Sequence, residues 1–131
     1  MSDAAADTTQ WVLRALIALL FVGMGVNHFR PGPARVMAKL IPPALRGTGL
    51  LSPIRLVYAT GLCEIAGGIG ILLPATRTAA MIGLVLFLIA VFPANAYAAG
   101  KREQFGAIAI PFWPRYSAQL ALILVVVLAG I

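Results

Sequence analysis

The chain is 131 residues long, 61% hydrophobic and only 11% charged, against roughly 25% charged in an average soluble domain. A chain of this composition cannot cover itself with polar surface in water, so a soluble globular domain is excluded and a bilayer implied, in which backbone groups must pair within helices. Ten Lys and Arg against four Asp and Glu give a net charge of +6, but the basic residues stand between long apolar runs without interleaved aromatics, the pattern of loops at a membrane face and not of a nucleic-acid site.

The expected fold is all-α: a polytopic membrane protein, one domain over residues 1–131, with four transmembrane helices and a short amphipathic interfacial segment between the first and the second. "MSDAAADTTQ" reads as a polar tail, followed by a first span over about residues 11–29, long enough for roughly 30 Å of hydrocarbon. An acidic start, a long apolar run and the ending "NHFR" without a small-residue cleavage site argue against a signal peptide. Within 34–45, Val36, Met37, Leu40 and Ile41 alternate at helical spacing with Arg35 and Lys39, as in a helix lying in the interface. A second span is expected over 54–73, closed by a tight turn at "PATRT", and a third over 79–99 with Pro93 near its end. "GKREQFGAIAIPFWP" reads as a return to water, and 115–131 as a fourth span.

Four spans put the first and third connections on one side. That side holds Arg30, Arg35, Lys39, Arg46, Arg55, Lys101, Arg102 and Arg115, the other only Arg14 and Arg77. The positive-inside bias then makes the basic loops cytoplasmic and both termini external, in a cell (inner) membrane. Cys63 is the only cysteine, which rules out a thiol–disulfide relay within the chain.

Glu64 lies nine residues along the second span from Arg55, about 13 Å at 1.5 Å per residue, close to the bilayer midplane. A carboxyl at that depth costs several kcal/mol unless it has a partner, so it is expected to face the bundle interior, as a hydrogen-bonding packing group or as a functional one. Thr60, Glu64 and Gly68 fall on one helix face, with Ala59, Cys63 and Gly67 as a small-residue stripe beside them. His28 ends the first span, Asn95 stands near the end of the third, and Arg115 and Gln119 open the fourth four residues apart on one face. Pro93 leaves the carbonyl of Ile89 without its helical donor, a place for a side-chain donor or a water. The candidate pocket residues are therefore His28, Glu64, Asn95, Arg115 and Gln119, near one membrane face with Glu64 as the deeper floor, held by Gln119, Asn95 or Arg115.

The segments "GVNHFRPGPARVMAKLIPPAL", "LVYATGLCEIAGGIGILLPATR", "VFPANAY" and "RYSAQ", in that order and over nearly the whole chain, resemble the DoxX-like family of small four-helix bacterial membrane proteins. The resemblance maps onto His28, Phe29, Gly61, Glu64, Pro93, Asn95, Arg115 and Gln119, with Gly67 and Gly68 as further structural positions. It implies membrane subunits linked to quinone-dependent sulfur oxidation in some relatives and membrane-protein chaperones in distant ones. The paired cysteines of the thiol-redox branch are absent from this chain.

The function expected on these grounds is an accessory membrane protein whose polar pocket takes a small amphipathic ligand, quinone or lipid, or a segment of a membrane-protein partner or second copy. A subunit of a quinone-linked membrane oxidoreductase is the alternative, and a proton-coupled transporter using Glu64 a third. No P-loop, metal cluster or Ser/His/Asp set stands in the sequence, so stand-alone catalysis has little support; quinone is the one cofactor candidate, with no metal expected and no nucleic-acid partner.

Overall fold

The computed structural model describes residues 2–99, 101–105 and 109–131. The protein is all-helical: α1 (Asp3–Asn27), α2 (Pro31–Leu40), α3 (Pro53–Gly70), α4 (Arg77–Ala98), the single turn α5 (Arg102–Phe105) and α6 (Phe112–Gly130). Three of these, α1, α4 and α6, are long and apolar enough to cross a membrane. The shorter α3 has 18 residues and carries Arg55 and Glu64 within them.

Element bounds differ from the sequence expectation where caps and prolines override hydropathy. Residues 3–10 are not a polar tail but the first turns of α1, because the Ser2 side chain accepts a hydrogen bond from the Ala5 backbone N–H and an alanine-rich run follows; Met1 lies outside the described residues. α2 starts at Pro31, three residues before the expected 34–45 segment, since proline at the first helical position has its φ preset and loses no hydrogen bond. It stops at Leu40, just before Ile41 is forced extended by Pro42, and a 3₁₀ turn over Pro43–Leu45 finishes the segment. Of the connection expected to return to water, Gly100 and residues 106–108 lie outside the described residues, as does the Arg102 side chain.

α1 packs against α3 and α6, and α4 packs against the same two, so the four longer helices close a ring. Where α1 meets α3, glycines allow backbone contact: a Cβ on Gly61 would stand 2.7 Å from His28 Cβ and 2.9 Å from the Gly25 carbonyl oxygen. Gly68 sits close to the Ala18 carbonyl in the same way. This crossing puts His28 level with Gly61, eight residues inside α3 and thus about 12 Å below its start. α1 therefore ends deep, and α2 packs against the stretch of α3 that α1 leaves uncovered, with Ala34 buried in the contact.

The core lies toward the end of the ring that holds the α3–α4 turn. Ile17, Phe21, Ile71, Leu84, Leu88, Val126 and Ala129 form one cluster there. Two arginines close this end: Arg14, buried, donates from Nε to the Ala129 carbonyl at 2.8 Å, and Arg77 donates to the carbonyls of Ile71 and Leu72 at 3.0 and 3.2 Å. Both thus satisfy carbonyls that the C-terminal turns of α6 and α3 leave free. Both guanidinium groups also lie over the Trp11 ring, 4.9 and 5.2 Å from its centre. At the opposite end Ala98, Phe105 and Ala109 pack with Leu40 and Tyr97, so the first and third connections do meet on one side. Between this cover and the core the ring is not filled.

Candidate functional site

The unfilled part is a half-open cavity of about 570 Å³, within the ~300–1,000 Å³ of small-molecule sites. Its walls come from α1, α2, α3, α4 and α6 and are mostly apolar, and all five residues singled out in the sequence, His28, Glu64, Asn95, Arg115 and Gln119, line it. Met37, Leu40, Ile41 and Leu45, from α2 and the turn after it, line the same cavity.

Within the cavity the five residues divide into two groups. His28 and Glu64 are a pair: His28 Nε2 lies 3.3 Å from Glu64 Oε2, and both side chains are about nine-tenths buried. His28 stands level with Gly61, and the Nε2 edge of its ring reaches down to the deeper Glu64 carboxyl. The other face of the imidazole is fixed by α3, with Nδ1 3.0 Å from the Val57 carbonyl oxygen and 3.1 Å from Thr60 Oγ1. Thr60 itself donates its hydroxyl hydrogen to the Val57 carbonyl at 2.8 Å. A carbonyl only accepts and the hydroxyl hydrogen is already used, so these partners require the hydrogen on His28 Nδ1. Glu64 Oε2 lies within ion-pair distance of His28 Nε2 but makes no hydrogen bond of ordinary geometry, with His28 or with any other described residue.

Gln119 is committed elsewhere: its side-chain nitrogen donates to the backbone carbonyl of Leu88. The sequence expectation placed a donor at Ile89, the carbonyl that Pro93 deprives; the donor is a side chain, but it serves the preceding residue. The expected holders of Glu64, Gln119, Asn95 and Arg115, are replaced by His28, since the α1–α3 crossing brings the imidazole and not the α6 side chains to the carboxyl. Arg115 and Asn95 have no hydrogen-bond or ion-pair partner among the described residues and face the cavity, Arg115 one turn above Gln119 and Asn95 two turns from Leu88.

The structural positions behave less uniformly. Gly61 and Gly68 make the close contacts of α3 with α1, and a Cβ on Gly67 would collide with Leu84 of α4. Phe29 points outward, stacked on Tyr58 with ring centres 5.4 Å apart. The inward face of α3 is Val57, Gly61, Glu64 and Gly68, whereas Ala59 and Cys63 of the small-residue stripe are exposed. Sequence reasoning misses the role of Thr60 and the Val57 carbonyl in orienting His28; the signal available was only that Thr60 precedes Glu64 by one turn.

A helical bundle with spans of membrane-crossing length and an apolar-walled cavity carrying a few convergent polar groups defines the class of protein. Within it, the chain belongs to the family described as a domain of unknown function (DUF8561), whose model matches residues 17–129. The matched stretch runs from the middle of α1 to the last turn of α6 and includes every polar residue of the cavity. No curated protein and no solved structure matches the chain.

Proposed function

We propose that the protein is an integral membrane protein in which α1, α3, α4 and α6 all cross the bilayer, and that it holds a small amphipathic molecule, of the quinone or lipid type, in the cavity between them. The observation that carries the reading is the cavity itself: about 570 Å³, mostly apolar, with His28, Glu64, Asn95, Arg115 and Gln119 converging on it from four helices. A fourth crossing by α3 has its own support. The polar Glu64 is turned inward, while Leu62 and Ile69, 62% and 49% exposed, face out as apolar residues facing lipid do. Trp113 and Tyr116 near one end and Trp11 near the other are exposed as in interfacial aromatic belts.

The order of the His-Phe, Gly-x-x-Glu, Phe-Pro-Ala-Asn and Arg-x-x-x-Gln motifs supports a relationship to the DoxX-like proteins of bacterial inner membranes. On that footing the chain is an accessory protein that works beside a membrane partner. The test is mass spectrometry of the small molecules retained after gentle extraction, with Ala118→Trp as the cavity-filling comparison. An amphipathic molecule held by the wild type and lost from a folded Ala118→Trp protein is the expected result. Equal small-molecule content in both proteins would remove the cavity reading.

A further inference from the structure

The cavity has a charge balance that selects among amphipathic ligands. The sequence has four acidic side chains, at Asp3, Asp7, Glu64 and Glu103. Asp3 and Asp7 are on the first turns of α1, at the far end of the ring, and Glu103 is exposed. Glu64 is the one carboxylate that lines the cavity, and it faces His28. The Glu64 carboxyl is thus turned to His28 and has no Arg115 nitrogen within ion-pair distance. Arg115 lines the same walls, has no carboxylate within ion-pair distance and donates no hydrogen bond among the described residues. Asn95, also without a partner there, adds an amide on the same side. The lining thus holds a guanidinium with no carboxylate beside it in mostly apolar surroundings, an arrangement that is costly until an anion joins it. Around the opening, Arg30, Arg35, Lys39, Arg46, Arg55 and Lys101 are exposed and add a field of the same sign.

We infer that the occupant of the cavity is a single-chain amphipathic molecule with an anionic head, carboxylate or phosphate, whose head is bound by Arg115 and Asn95 and whose hydrocarbon chain lies along the apolar walls of α1 and α4. This rests on the cavity reading above and narrows it: guanidinium binds carboxylate and phosphate through paired charge-assisted hydrogen bonds, whereas a quinone head offers it only neutral carbonyls. The volume suits one acyl chain and its head, not a two-chain phospholipid.

The test uses the purified full chain in a neutral detergent and measures displacement of a fluorescent fatty acid by four probes. These are oleate, oleoyl-lysophosphatidic acid, the neutral mono-oleoylglycerol and a neutral short-chain quinone. We expect at least one anionic probe to bind about tenfold or more tightly than the neutral probe of the same chain. Arg115→Gln should erase that preference, Arg115→Lys should keep most of it, and Ala118→Trp should weaken every probe. Which anionic probe prevails identifies the head. Equal binding of oleate and mono-oleoylglycerol, or an Arg115→Gln protein with undiminished preference, overturns the anionic-head inference while leaving the cavity reading intact. Failure of neutral and anionic probes alike, with no effect of Ala118→Trp, overturns both.

Discussion

His28 Nε2 meets Glu64 Oε2 at 3.3 Å between α1 and α3, and the imidazole is held for that contact by the Val57 carbonyl and Thr60 on its other edge. A carboxyl in the middle of an apolar helix thereby has as its neighbour a side chain 36 positions earlier in the chain.

The first prediction follows from that contact. Glu64→Gln keeps the shape of the side chain and can donate an amide hydrogen to His28 Nε2, so its stability should stay within about 0.5 kcal/mol of the wild type. Glu64→Leu strands the imidazole and should lose about 1–2 kcal/mol. Unfolding in detergent, run as a double-mutant cycle with His28→Ala, should return a coupling energy of about 1 kcal/mol for the Glu64→Leu pair. A coupling of zero would mean the two side chains are merely adjacent.

The same crossing sets the second. A methyl on Gly61 would stand 2.7 Å from His28 Cβ and 2.9 Å from the Gly25 carbonyl, with backbone on one side unable to give way, whereas a methyl on Gly23 meets nothing within 4 Å. Gly61→Ala should cost about 1–3 kcal/mol by forcing the helices apart. Gly23→Ala should be neutral or gain up to about 1 kcal/mol from helix propensity. Equal melting temperatures for the two variants would show that α1 and α3 do not touch through Gly61.

How much of this was legible in the sequence depends on the range of the interaction. The helices follow from apolar runs and prolines, and the gathering of five polar residues around one cavity follows from helix direction alone, since alternating helices return His28, Asn95 and Arg115 to one end. The partners do not follow. Direction says nothing of how far one helix slides along the next, and that slide, fixed by Gly25 against Gly61, decides that Glu64 meets His28 and not Arg115. Arg14 was likewise unreadable: the carbonyl it serves, Ala129, is 115 positions away. The first turns of α1 were hidden because their polar residues mimic a tail, while the Ser2 cap acts through a single local hydrogen bond.

The third prediction concerns orientation. With Arg30, Arg35, Lys39, Arg46, Arg55 and Lys101 exposed at the α2 end, that end should face the cytoplasm. In a Cys63→Ala background, a membrane-impermeant thiol reagent applied to intact cells should label Ser2→Cys and spare Arg46→Cys until the cells are opened. The reverse pattern would invert the topology, and labelling of both from outside would mean that an even number of crossings, none or two, separates them.

The last prediction separates the two α6 residues of the cavity by what each is already bonded to. Gln119 spends its amide hydrogen on the Leu88 carbonyl, in the stretch of α4 just before Pro93, where the missing proline N–H leaves the helix short of one internal bond. It is a strut between α4 and α6, and its removal should be read in stability. Gln119→Leu should lower the unfolding free energy by about 1–2 kcal/mol in detergent, as for an interhelical hydrogen bond. It should leave the preference among ligand heads as it was. Arg115 has no such bond to lose, so Arg115→Gln should fold with little change in melting temperature and alter only that preference. The two variants thus exchange effects, although one turn of helix separates them. Loss of head preference in Gln119→Leu with stability unchanged would reverse the assignment and make Gln119, not Arg115, the residue that reads the ligand.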